Sequence, residues 1–137
     1  MATITEDYVS FETAKLLKEI GFDGVSTIMY KENGKMCINP KSVVSWRLKY
    51  WYPCLTLQMA MKWLREKYNL FIEIQCYGCG ADKEAHFEFS FVVSEFMQFD
   101  NKICTTVGLK EKKAKSQHNT YEEACEAAIK YCLEHLI

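Results

Sequence analysis

Proline occurs twice and glycine six times in this chain of 137 residues, too few for a flexible linker between two folded units. One domain over residues 1–137 is therefore expected, a length within the usual domain range. Long apolar runs are also missing. The longest extend over only a few residues, against about 20 for a membrane-spanning helix. Residues 1–20 alternate polar and apolar instead of forming the continuous apolar stretch of an export signal. Nor is there an excess charge of one sign. The 17 basic and 18 acidic side chains leave a net charge of −1, which gives no global field to steer the chain toward nucleic acid or an anionic membrane. No GxSxG, P-loop, GxGxxG or HExxH string is present, and His86, His118 and His135 show no metal-ligand spacing.

Apolar residues are abundant. They make up 49% of the chain, with 14% aromatic, enough for a packed core and too many for a disordered segment. Folding a chain of this size buries roughly 68% of its unfolded surface, so a core can form without disulfides or metal. The seven cysteines, an odd number without an export signal, point to reduced thiols and a cytoplasmic setting.

Periodicity sets the elements. Phe11, Ala14, Leu17 and Ile20 predict a helix capped by Ser10 and stopped by Gly21, with Phe22 folding back onto Leu17. Asn33-Gly34 predicts a tight hairpin turn with positive φ at both positions, within residues 26–38. Residues 44–52 alternate, with Val44, Trp46, Leu48, Tyr50 and Tyr52 on one side and Trp51 on the other, which reads as an edge strand stopped by Pro53. A second helix runs from Thr56 to Tyr68 and ends at Asn69. Leu70–Tyr77 and Ala85–Val93 alternate as paired strands joined by a loop from Gly78 to Glu84, and Ile103–Val107 is expected to complete a meander. Thr120-Tyr121-Glu122-Glu123 opens the last helix with capping-box spacing, its wet side carrying Glu122, Glu126, Lys130 and Glu134. The fold class is α+β, an antiparallel meander with about three helices packed on it.

Four features carry candidate chemistry. Cys76-Tyr77-Gly78-Cys79-Gly80 resembles half of a zinc ribbon. Zinc takes four ligands, and no second CxxC or CxxH completes the set, so a glycine-rich turn with incidental thiols is the simpler reading and no cofactor is expected. Lys110, Lys112, Lys113 and Lys115 precede the last helix in an order of elements that resembles the double-stranded RNA-binding domain in outline. That domain needs its lysines at the helix start, where this chain has Glu122-Glu123, so a nucleic-acid partner is not expected. The aromatic run Trp46, Tyr50, Trp51 and Tyr52 is the interface candidate, since Trp and Tyr dominate contact energetics and one side of the strand must stay exposed; Trp51 is expected there. A homodimer or a protein partner follows from that reading. No constellation of nucleophile and base marks an enzyme.

Three helical segments carry a family likeness. Ile4-Thr5-Glu6-Asp7-Tyr8-Val9-Ser10-Phe11 through Glu19, Thr56-Leu57-Gln58-Met59-Ala60-Met61-Lys62-Trp63-Leu64-Arg65-Glu66, and Thr120-Tyr121-Glu122-Glu123-Ala124 through Glu134 together resemble uncharacterised small proteins of the Bacteroides group of gut bacteria and their phages or mobile elements. The resemblance implies a bacterial cytoplasmic protein with an accessory role in a phage or mobile element, and it transfers no site residue.

Overall fold

Each predicted helix begins where its capping residue places it, and the first two also end where theirs do. The computed structural model describes residues 4–38, 50–79, 86–95, 97–99, 102–104 and 118–137. Helix α1 (Phe11–Ile20) starts with the Ser10 hydroxyl accepting from the Thr13 amide. It closes on Gly21 at φ 91°, with the Phe22 amide bonded to the Leu17 carbonyl and the Gly21 amide to that of Lys18, the two bonds of a Schellman stop. Thr56 caps α2 (Leu57–Tyr68) through the Met59 amide, and Asn69 ends it in the left-handed conformation at φ 54°. Thr120 caps α3 (Tyr121–His135) through the Glu123 amide, while the Glu123 carboxylate reaches back to the amide of Asn119.

Among the described residues, four antiparallel ladders in three sheets accompany the helices. Strands β1 (Ile28–Lys31), β2 (Met36–Ile38) and β3 (Trp51–Pro53) form a sheet in the order β2-β1-β3. Among the described residues β3 pairs with β1 alone, and Pro53, expected to stop the strand, belongs to it as its last residue, opposite Met29. The turn between β1 and β2 departs from expectation. Only Gly34 has positive φ, at 79°, and Asn33 instead accepts the Lys35 amide on its side chain. With Lys31 bonded to Lys35 across three residues, this is the longer loop in which a single left-handed glycine suffices.

Strands β4 (Leu70–Cys79) and β5 (His86–Glu95) pair over ten unbroken positions from Leu70 opposite Glu95 to Cys79 opposite His86. The ladder thus runs past Gly78, where a loop was expected to begin. Strand β6 (Met97–Phe99) pairs with β7 (Lys102–Cys104), so among the described residues the start of the expected third strand pairs with β6. Residues 39–49, 80–85, 105–117 and their neighbours hold Trp46, the start of the predicted edge strand, the end of Ile103–Val107 and the lysine cluster; these readings lie outside the described residues.

The core sits between α3 and the other elements. Leu17, Met29, Leu55, Leu64 and Ile129 are fully buried, and Cys125 and Cys132 fill the α3 face as small apolar groups. α3 packs on β4, β5, α1 and α2. The stretch before α1 is stitched in by backbone bonds from Val9 to Leu55 and from Leu57 to Asp7, and by the Tyr30 hydroxyl donating to the Val9 carbonyl at 2.6 Å.

Candidate functional site

The densest polar cluster joins α1 to α3. The Ser10 amide and hydroxyl and the Thr13 hydroxyl all donate to Oε1 of Glu126, while the buried Oε2 lacks a protein partner. This corrects the sequence reading, in which Glu126 belongs to the wet side of α3. Helical periodicity shows the stripe but not what faces its margin, and the clue was Thr13, a hydroxyl sitting beside the apolar face of α1 and fully buried. The hydroxyls here meet a carboxylate at a helix start, a capping arrangement in which the negative charge also complements the helix dipole. Nearby, Lys130 bonds Glu12 at 3.0 Å and holds its carboxyl below the ordinary range. The cluster fastens helices together.

The aromatic interface candidates divide. Tyr50 is 53% exposed, whereas Trp51, expected outside, is half-buried together with Tyr52. Tyr52 meets Phe11 edge-on at 5.2 Å between centroids, and the Lys18 ammonium lies 4.6 Å from its ring while bonding the Trp51 carbonyl. Tyr52 therefore serves the packing of β3 on α1. Tyr50 and Trp51 line an open hollow of about 560 Å³ with Lys31, Glu32 and Asn33. A second groove, about 220 Å³, lies among Thr5, Glu6, Asp7, Gln58, Tyr121 and neighbouring residues where α2 and α3 begin.

The two cysteines of the half-site both lie on β4, Cys76 opposite Phe89 and Cys79 opposite His86. An extended step of three residues spans about 10 Å. A zinc knuckle instead folds the backbone so that two sulfurs lie about 2.3 Å from one ion. Cys76 is exposed, and among the described residues no three His, Cys, Asp or Glu side chains are placed to share a metal. Three further thiols are shielded: burial raises Cys54 and Cys125 and pushes Cys132 up to about 12. Such thiols are poor nucleophiles.

The β4–β5 ladder itself offers the most extended surface. Its register places Leu70, Ile72, Ile74 and Cys76 on the face shared by Val93, Phe91 and Phe89, and α3 covers the base of that face. Burial fades along it, from Phe91 at 5% exposure to Phe87 at 68%. The opposite face carries Phe71, Glu73, Gln75 and Tyr77 across from Ser94, Val92, Ser90 and Glu88. Phe71 and Tyr77 are exposed there, and the Tyr77 hydroxyl donates to Gln75 Oε1. Among the described residues β4 pairs with β5 alone. Alternation in the sequence shows both faces of β4 but not which strands lie beside it, because strand order depends on partners remote in the chain.

Neither a family model, nor a curated protein, nor a solved structure matches the chain.

Proposed function

We propose that the protein is a non-catalytic interaction module that takes up a polypeptide along the outer edge of β4, in an accessory role of the kind that the helical resemblance implies for a phage or mobile element. The observation that carries this reading is the ten-residue length of β4 with one partner strand among the described residues. An outer strand presents a row of amide donors and carbonyl acceptors, and an incoming strand gains affinity from that backbone and specificity from alternate side chains. Phe71 and Tyr77, exposed on the face opposite the core, supply aromatic anchors of the type that dominate contacts.

Capture from bacterial extract tests the reading. Tagged wild type is compared with F71K/Y77K, which places on the edge the lysines that natural outer strands use to refuse partners. The expected result is a set of polypeptides held by the wild type and lost from the variant at equal folded content. Equal capture by both proteins would sink the proposal.

A further inference from the structure

We infer that the strand taken up by β4 is the β4 of a second copy, running antiparallel with Ile74 at the two-fold axis. The inference rests on the interaction reading and names its partner.

Outer strands in proteins that stay monomeric are short, or carry lysine, proline or a bulge. The two strands that stand outermost in the first sheet among the described residues fit that description. β2 and β3 have three residues each, and β3 ends in Pro53. β4 does not. Across Leu70–Cys79 there is no lysine and no proline, Glu73 is the single charge, and the pairing with β5 shows no bulge. At about 3.3 Å per residue it offers an edge of roughly 30 Å.

The sequence of β4 is also complementary to itself. Centred on Ile74, the antiparallel register sets Phe71 against Tyr77 of the second copy, Ile72 against Cys76, and Glu73 against Gln75. Both symmetry-related halves then contain an aromatic pair, an apolar pair and a carboxylate facing an amide, the cross-strand combinations that stabilise sheets. Neighbouring registers are worse. Centring on Glu73 opposes two carboxylates directly, and centring on Gln75 puts Glu73 against Tyr77 and breaks up the aromatic pairs. The result is an isologous contact, a four-stranded sheet in the order β5-β4-β4-β5.

Sedimentation of the purified full chain over a concentration series tests this. Wild type is expected to dimerise at micromolar concentration. Gln75→Glu sets like charges opposite at two symmetry-related places and should weaken the dimer about tenfold, Gln75→Lys should tighten it, and E73K/Q75E should restore it. Circular dichroism of each variant checks the fold. In a Cys76→Ser background, the Ile74→Cys thiols should join two copies under mild oxidation, whereas those of Gln75→Cys should not. A wild type that stays monomeric at its highest soluble concentration overturns the inference, as does a dimer insensitive to charge at position 75. A monomer that still captures proteins through Phe71 and Tyr77 would overturn the second copy and leave the interaction reading standing. Loss of both results would remove both.

Discussion

Glu126 of α3 supplies for Ser10 what a residue within α1 itself ordinarily supplies: its Oε1 accepts the Ser10 amide at 3.1 Å and the Ser10 hydroxyl at 2.5 Å. In a local capping box the acceptor is a Glu three residues into the helix. Here that position is Thr13, whose hydroxyl donates to the same oxygen. The start of α1 is thereby tied to a helix more than a hundred residues away. Glu126→Ala should destabilise the protein by about 2 kcal/mol, since it strips a charged acceptor from several donors. Ser10→Ala should cost about 1 kcal/mol, and the double variant less than the sum, because both remove the same bonds. Urea denaturation with an unchanged m value measures all three.

A second long-range tie predicts a pH dependence. Asp23, just beyond the end of α1, accepts from the Lys67 ammonium and from the Trp63 indole N–H at 3.1 Å, and Trp63 meets Phe22 edge-on. The hydrogen bond from Lys67, followed by that from Trp63, holds the Asp23 carboxyl below its ordinary value of 3.8. A depressed carboxyl stabilises the folded state above its ordinary value, and the contribution disappears as pH falls through the lowered one. Asp23→Asn should therefore lower Tm at neutral pH, and the gap to wild type should close in strong acid. Because the pair is exposed, added salt should narrow the gap as well. A gap constant from neutral pH to strong acid would disprove the assignment.

The cysteines divide by burial, and alkylation should follow that division. Cys54, Cys125 and Cys132 are buried, with thiols raised by loss of solvation, Cys132 to about 12. At mildly alkaline pH they hold almost no thiolate, the form that reacts. Cys76 is exposed and should be modified by iodoacetamide ahead of these three in the native protein. Peptide mass mapping should find Cys54, Cys125 and Cys132 protected until denaturant is added. Labelling of Cys125 and Cys132 at the rate of Cys76 under native conditions would contradict the packing of α3.

What the sequence made legible was local. Ser10, Gly21, Thr56, Asn69 and Thr120 act on backbone groups within a turn of themselves, so their residue types alone place the helix ends. Alternation along Leu70–Cys76 likewise reveals two faces, since a strand has only two. Nothing local says what lies across from a residue. Glu126 follows the i, i+4 row of Glu122 and Lys130, yet the start of α1 closes over it. β7 carries an apolar pattern that suits any neighbour, and it pairs with β6 three residues before it. The aromatic content of Trp51 and Tyr52 was visible, but the choice between core and contact was made by Phe11 and Lys18, which reach β3 from another element. For the same reason the pairing of β4 with β5 alone among the described residues could not be read before strand order was known.

The end of α1 allows backbone strain to be separated from packing. Gly21 sits at φ 91° with no heavy atom within 4 Å of where a Cβ would stand. Gly21→Ala therefore meets no clash, and its cost of about 1 kcal/mol should come from the left-handed backbone alone. Asn tolerates that conformation better, so Gly21→Asn should lose less than Gly21→Ala even though its side chain is larger. Leu17, one turn earlier and fully buried, tests the other quantity: Leu17→Ala should cost about 3 kcal/mol by opening a cavity in the core. If Asn at position 21 proved more damaging than Ala, size and not φ would govern the site, and the open space around Gly21 would have to be filled in solution.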